Sequence, residues 1–159
     1  MTQTISALTK NKPGVLADMA QAIRKYNVNI RSISAGETED PDISRLTIGL
    51  DGTDEDVQRI TEDMADMDVI IGMDDLRRKE FVDRELLLVK VAMDPANTTQ
   101  IMQIFEVFRA NVVGMGRRTI TVEMSGDRER VDGLINMLKP HGIKSLCRSG
   151  MIALKRGDE

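Results

Sequence analysis

The feature that most constrains this fold is an internal repeat, because the chain carries the same order of predicted elements twice. Residues 3–75 and 84–155 each read as strand, helix, strand, strand, helix, strand. A chain of 159 residues accommodates two small domains of about 75 residues each. This βαββαβ order is typical of a four-stranded antiparallel sheet with two helices on one face. We therefore predict an α+β protein with two such domains, at residues 1–78 and 79–159.

Helices are predicted where apolar residues recur at helical spacing, and the first such segment begins at Val15. The second follows Thr53, which forms a capping-box pattern with Asp56. In the second repeat, Asp94 is the expected N-cap of the third helix. Val131 opens the apolar stripe of the fourth helix. The sequence thus places two helices in each repeat.

The polar stretch Asp74–Asp83 separates the two repeats and is the predicted linker. Two helices on one face leave the other face of each sheet without cover. Domains this small have thin cores and gain stability from a neighbour. We therefore expect the sheets to pack against another copy, within the chain or between chains, and the protein to be at least a homodimer.

Composition excludes several classes of function. The chain has one Tyr, three Phe and no Trp, so aromatic platforms for bases are not expected. The net charge is −6 for residues 1–78 and +2 for residues 79–159, with no basic stripe that would favour nucleic acid. Cys147 is the only cysteine, which excludes an intramolecular disulfide. Neither a secretory leader nor an apolar run of about 20 residues is present, so we expect a cytoplasmic protein without a membrane partner.

The turn before the first helix, Asn11-Lys12-Pro13-Gly14, is the candidate binding site. A helix N-terminus offers unpaired N–H groups and a partial positive charge, which suit a carboxylate or phosphate. Gly14 would let a ligand approach the backbone closely, and Asn11 could add a polar contact. We expect Asn29, at the start of the next strand, to lie at the same end of the sheet.

A free amino acid is the ligand that fits these residues. It needs donors for its carboxylate, an acceptor for its ammonium group and an apolar patch for its side chain. The residues that could supply them are Asn11, Gly14, Val15, Leu16, Asn29 and Ile30. The alternative is structural: Asn11 and Gly14 form only a turn, and Asn29 caps a strand.

No catalytic or metal-binding constellation is apparent in the sequence. Gly114-Met115-Gly116 precedes a strand, so a hairpin is predicted instead of a dinucleotide loop. One His, at His141, and one Cys do not form a zinc site. The acidic segment after the second strand lacks the spacing of an EF-hand, so we interpret it as a solvated loop. These absences favour a sensor over a catalyst.

The chain resembles the small regulatory subunit of acetohydroxyacid (acetolactate) synthase over almost its whole length. In the first half, the resemblance lies in Ile5-Ser6-x-Leu8, Asn11-x-x-Gly14-Val15-Leu16, Asn29-Ile30-x-Ser32 and Asp40-Pro41-x-x-Ser44-Arg45-x-Thr47-Ile48. In the second half, it lies in Arg84-Glu85-Leu86-x-Leu88-Val89-Lys90, Ile104-Phe105-x-x-Phe108-Arg109 and Arg148-Ser149-Gly150-x-x-Ala153-Leu154-x-Arg156-Gly157. The ordered succession of these motifs is more specific than any single one.

This resemblance implies an N-terminal ACT domain followed by a second ferredoxin-like domain. It further implies a homodimer that binds valine, or a related branched-chain amino acid, at an ACT–ACT interface. The positions that match the effector site are Asn11, Gly14, Val15, Leu16, Asn29 and Ile30. The family's small subunit activates a catalytic large subunit and confers feedback inhibition in branched-chain amino-acid biosynthesis. Thiamine diphosphate, magnesium and FAD are expected only in that large subunit, which condenses two pyruvates to acetolactate and CO2.

Two alternatives belong to other functional classes. The chain could be a stand-alone amino-acid-sensing ACT protein that acts on another enzyme or as a transcription regulator. It lacks a helix-turn-helix segment and a basic face, which disfavours the transcription regulator. A small enzyme that uses the Gly14 turn for a phosphate substrate would need a base or nucleophile, and the sequence offers none there.

Overall fold

The computed structural model describes residues 2–78 and 80–158, with backbone only for Thr2 and Arg78. The strands are β1 (Thr2–Lys10), β2 (Asn29–Glu37), β3 (Ile43–Asp51), β4 (Ile70–Asp75), β5 (Phe81–Ala92), β6 (Asn111–Met115), β7 (Thr119–Gly126), β8 (Ile143–Arg148) and β9 (Ile152–Lys155). The helices are α1 (Val15–Arg24), α2 (Asp54–Ala65), α3 (Thr98–Phe108) and α4 (Arg128–Leu138). This order confirms the predicted α+β class with tandem βαββαβ units. Within the described ranges, no helix is both long and apolar enough to cross a bilayer.

The first sheet has the strand order β2-β3-β1-β4, and all neighbouring strands are antiparallel. Helices α1 and α2 contribute their apolar faces to one core with this sheet. Its fully buried members include Ile5, Met19, Ile23, Ile48, Leu50, Ile60 and Met64. The helical stripes predicted from the sequence are therefore the faces that build this core.

The second sheet has the order β6-β7-β5-β8, and β9 also pairs with β5. Its core with α3 and α4 includes Leu87, Val89, Ile101, Phe105, Ile120, Val122, Leu134 and Leu138. As predicted, the final strand is interrupted near Arg148-Ser149-Gly150, giving β8 and β9. Gly150 has φ at +80°, a conformation that favours glycine and breaks the strand.

The last residues of the chain return to the first compact unit. That unit comprises Met1–Val82 and Met151–Glu159, whereas the second comprises Asp83–Gly150. The predicted boundary between residues 78 and 79 falls at Lys79, which lies outside the described residues. The predicted second domain included residues 151–159, whereas the structure groups them with the first unit. This grouping follows from packing within the first unit, where β9 lies close to β3.

Specific contacts attach this C-terminal segment to the first unit. Met151 and Ala153 are buried, and Lys155 Nζ lies 2.6 Å from a carboxylate oxygen of Asp74. The Arg156 N–H donates to the Glu80 carbonyl at 2.9 Å. Short apolar strands of this kind are difficult to assign to a domain from the sequence, because their pattern does not identify the neighbouring surface.

The predicted linker Asp74–Asp83 is wrong for its described part, which is ordered and partly buried. β4 continues to Asp75, and a 3₁₀ turn spans Leu76–Arg78. Leu76 is only 1% exposed, and the Arg77 guanidinium Nε donates to Asp75 Oδ1 at 2.8 Å. Charged residues give this stretch a polar composition, but Arg77 pairs locally with Asp75, and Asp74 pairs with the distant Lys155.

A charged cluster lies inside the second unit, between β5, β8 and α4. Glu85 is only 5% exposed, and its carboxylate accepts two hydrogen bonds from the Arg148 guanidinium at 2.6 and 3.0 Å. Arg148 also donates to Asp132 at 2.8 Å. Hydrogen bonding to Glu85 raises the pKa of the Arg148 guanidinium. A bidentate partner satisfies a carboxylate that would otherwise be costly to bury.

Candidate functional site

Asn11 fixes the turn that follows β1. Its backbone N–H donates to the Asp42 carbonyl at 2.7 Å. Its side-chain Nδ2 donates to the Pro41 carbonyl at 2.8 Å and to Glu37 Oε1 at 3.1 Å. The carboxamide nitrogen thus holds the turn against the loop between β2 and β3. Asn11 therefore has a structural role in this fold.

Gly14 is the N-cap of α1 and has the backbone conformation of a left-handed turn, with φ at +89°. An added Cβ would meet no atom within 4 Å, so space is open in front of this residue. Val15 is buried in the core, whereas Leu16 is 50% exposed. This end of the sheet therefore combines an accessible helix N-terminus with an exposed apolar side chain, which suits the carboxylate and side chain of a small amino acid.

Asn29 and Ile30 lie at the opposite end of the same sheet. Asn29 is paired with Asp51, which is in turn paired with Thr2 at the start of β1. Asn11 instead follows Lys10, at the end of β1. The prediction that Asn29 lies at the same end of the sheet as the Asn11–Gly14 turn is wrong. β1 and β2 are both antiparallel to β3 and so run in the same direction, which places the start of β2 at the end of the sheet opposite to the end of β1. The Asn11–Gly14 turn and Asn29 are therefore separated by about the length of a strand, roughly 25 Å.

Asn29 lines a separate cleft at its end of the sheet. This cleft of about 380 Å³ is lined by Ala20, Ile23, Arg24, Asn27, Val28, Asn29 and Ile30. Asn27 has φ at +53°, which confirms the predicted left-handed helix stop. Arg24, in the last turn of α1, brings a cation to this cleft and was missed in the sequence. Its position just before the Asn27 stop, next to the Asn29 strand, was the signal that could have identified it.

The other chemical groups considered in the sequence do not form a site with these residues. Gly114 lies in β6 and Gly116 in the β6–β7 hairpin, as predicted. His141 lies in a 3₁₀ turn and Cys147 is exposed on β8. In the part of the chain that the structure describes, no group of three or more His, Cys, Asp or Glu side chains is arranged to hold a metal. The residues at the two ends of the first sheet thus remain the candidate site.

Comparison with known proteins agrees with this architecture. A family model described as the small subunit of acetolactate synthase matches residues 84–157, and one for an AHAS small subunit-like ACT domain matches residues 5–71. A probable acetolactate synthase small subunit of Archaeoglobus fulgidus is 35% identical over 100% of this chain and 99% of its own length. The acetolactate synthase small subunit of Bacillus subtilis is also 35% identical, over 100% and 93%.

A solved structure extends this similarity to three dimensions. The crystal structure of the acetolactate synthase small subunit from Thermotoga maritima superposes with a TM-score of 0.86 at 30% identity. The similarity covers 100% of this chain and 99% of that one. Both halves of the fold are therefore shared.

Proposed function

Since the chain belongs to the acetolactate synthase small-subunit family, we propose that it is the regulatory, non-catalytic partner of a catalytic large subunit. In this role it activates the large subunit and transmits feedback inhibition by valine or a related branched-chain amino acid. The observation that carries the proposal is the division of the candidate residues between the two ends of the first sheet, next to an edge strand. Such a division is explained if two chains complete one effector site.

The edge position of β2 makes this completion geometrically simple. In the described sheet, β2 pairs only with β3, so its outer edge is open to a second copy. If two copies join these edges antiparallel about a two-fold axis, the start of each β2 meets the end of the other. Asn29 of one chain then lies at the end of the sheet that carries Asn11 and Gly14 of its partner. A homodimer would thus hold two equivalent sites.

The two halves offer complementary contacts to an amino acid. The open N-terminus of α1, after Gly14, supplies N–H donors for a carboxylate. Leu16, half exposed, offers an apolar surface for a branched side chain. Asn29 and Arg24, from the other half, add polar and cationic groups around the ligand. Ligand contacts with both chains would couple binding to the arrangement of the dimer, as an allosteric signal requires.

Catalysis belongs to the large subunit in this proposal. The chain itself would carry no cofactor, whereas thiamine diphosphate, magnesium and FAD would be held by the large subunit. The contribution of this chain is differential binding: valine inhibits only if the inhibited form of the complex binds it more tightly than the active form. Activity therefore changes through the equilibrium between forms and not through a reacting group of this chain.

The direct test reconstitutes the complex from the purified chain and the large subunit from the same source. Acetolactate formation from pyruvate is measured with and without the chain, over a range of valine concentrations. We expect the chain to raise the activity of the large subunit and to make it sensitive to valine. A matched titration with a Gly14→Asp variant should preserve activation and lose valine sensitivity. Failure of the unmodified chain to alter either property would contradict the regulatory function.

A further inference from the structure

The second unit contains a cleft of about 650 Å³ that the proposed effector site does not use. It lies where the end of β5 meets the β6–β7 turn and the start of β8. Arg117, Arg118 and Lys144 bring three cationic side chains to its lining. We propose that this cleft is an anion-binding site for a small molecule that carries a diphosphate or a longer polyphosphate group. All of its lining residues belong to the second unit.

The three cations are available to a ligand. Arg117, Arg118 and Lys144 are exposed, and none forms an ion pair or a side-chain hydrogen bond with another described residue. Other arginines of this unit are engaged: Arg130 donates to the Phe108 carbonyl, and Arg148 pairs with carboxylates. An anion bound in this cleft would therefore meet three positive charges without having to displace an existing partner.

The one carboxylate in the lining does not neutralise these cations. Asp94 is turned into its own loop, where Oδ1 accepts hydrogen bonds from the backbone N–H groups of Ala96 at 2.8 Å and Asn97 at 3.0 Å. Asn97 Oδ1 in turn accepts from the Asp94 N–H at 2.8 Å. The formal charges of the lining therefore sum to a cationic excess, consistent with the net positive charge of the second half of the sequence.

The backbone around the cleft is held in place before any ligand binds. The Met93 N–H donates to the Arg118 carbonyl at 2.9 Å, which fixes the turn beside the end of β5. The Ala92 N–H donates to the Gly142 carbonyl at 2.9 Å and fixes the chain just before Lys144. The Gly116 N–H donates to the Thr119 carbonyl at 2.8 Å and closes the same turn. Fixed attachment points reduce the entropy that ligand binding must offset.

Size and chemistry together favour a polyphosphate group on a small molecule. The cleft is within the range of about 300–1,000 Å³ that is typical of small-molecule sites and larger than one phosphate requires. Two guanidinium groups match the oxygen geometry of phosphates, and the lysine adds a third point of charge. Ala92, Met93 and Pro95 give the remaining wall an apolar surface for the body of the ligand.

The test uses the full chain at low salt, with inorganic pyrophosphate and tripolyphosphate as probes and inorganic phosphate as the single-phosphate comparison. Isothermal titration calorimetry measures affinity, and backbone amide shifts in NMR spectra locate the site. We expect saturable binding that is at least about tenfold tighter for tripolyphosphate than for phosphate, since more charges are engaged. The shifts should centre on Met93, Arg118 and Lys144. Shifts centred on Gly14 and Leu16 instead would overturn the assignment.

Charge-removing variants provide the second arm. Arg117→Gln, Arg118→Gln and Lys144→Gln should each weaken tripolyphosphate binding by about three- to tenfold, and the triple variant should abolish it. Lys139→Gln, an equal charge change at an exposed position outside the cleft, is the matched control and should leave binding unchanged. Circular dichroism melting confirms that each variant is folded. Equal affinities of the triple variant and the unmodified chain for tripolyphosphate would refute the site.

Discussion

A side chain at Gly14 would have two consequences, one for the backbone and one for the open space in front of α1. The residue has φ at +89°, a region that L side chains rarely adopt, and an added Cβ would meet nothing within 4 Å. Any side chain would therefore be strained by the backbone, and it would project into the space that we assign to the ligand. These two effects act on different properties, stability and affinity, so they can be separated by experiment.

We predict that Gly14→Asp weakens valine binding by at least about tenfold, because its carboxylate repels the ligand carboxylate that the helix N-terminus would bind. The strained φ should also lower the free energy of unfolding by about 1–2 kcal/mol. Calorimetry and urea denaturation measure the two effects. Gly72→Asp is the control: it adds the same charge in the first unit, where an added Cβ also meets no atom within 4 Å. Equal valine affinities for the two variants would exclude the α1 N-terminus as the carboxylate site.

At this scale, local chemistry was predictable from the sequence and long-range placement was not. The Gly14 turn and the Asn27 helix stop follow from the backbone preferences of two residue types. The position of Asn29 depends on strand direction, which only the sheet topology defines. Arg24 was missed because its neighbourhood is created by the chain reversal after α1. Asn11 was identified, but its hydrogen bonds to the β2–β3 loop could not be foreseen.

Among the elements, α2 shows how a local sequence pattern becomes a stabilising contact. Its predicted capping box is present: the Asp56 N–H donates to Thr53 Oγ1 at 3.2 Å, and the Thr53 N–H donates to Asp56 Oδ2 at 3.1 Å. Hydrogen bonding from the Thr53 side chain and backbone lowers the pKa of Asp56 below its ordinary value of 3.8. The ionised carboxylate is therefore the form that the folded helix favours.

This pKa shift gives α2 a pH-dependent contribution to stability. Because the folded pKa is lowered, the contribution is complete above the unfolded pKa, near 3.8, and is lost as the pH falls through the folded value. We predict that Asp56→Asn lowers Tm at pH 7 and that the difference from the unmodified chain shrinks below about pH 4. Thermal melts from pH 7 to pH 2.5 measure this Tm difference. Asp68→Asn, an equal charge change at an exposed position outside the helix, is the control. A Tm difference that stays constant over this range would contradict the assignment.

The elements differ in how far their bounds could be predicted. The four helices and the interrupted final strand were identified because their patterns are local. The N-cap of α3 was predicted to be Asp94 but is Asn97, because Asp94 and Asn97 first form a turn of their own. The Asp74–Asp83 stretch was misassigned as a linker because composition does not reveal that Leu76 is buried.

In the whole molecule, the C-terminal segment after Gly150 packs with the first unit, which is otherwise formed by the N-terminal half of the chain. Met151 and Ala153 are 8% and 4% exposed, and Lys155 forms an ion pair with Asp74. The first unit therefore needs residues from both ends of the sequence. A fragment that ends near residue 78 would lack this segment, so it is not a complete first unit.

We predict that removing residues 151–159 lowers the free energy of unfolding of the first unit by about 2 kcal/mol or more, because the buried apolar contacts of Met151 and Ala153 are lost with the segment. Amide hydrogen exchange in β3, which β9 lies beside, should become faster. Removing residues 157–159 alone is the control, since Gly157 and Asp158 are exposed. The prediction is contradicted if the longer deletion leaves both the stability and the exchange rates of β3 unchanged.

If each effector site is completed by two chains, mixing two variants that are defective in different halves of the site should restore it. Gly14→Asp disables one half-site, and the double variant Arg24→Ala/Asn29→Ala disables the other. Each variant alone should bind valine poorly in calorimetry.

The two variants are then refolded together in equal amounts, with each variant refolded alone as the control. Half of the resulting dimers contain one chain of each kind, and each of these has one intact site. We predict that high-affinity valine binding reappears at about a quarter of the unmodified stoichiometry. A mixture that binds no more valine than the separate variants would show that the two half-sites do not meet across chains.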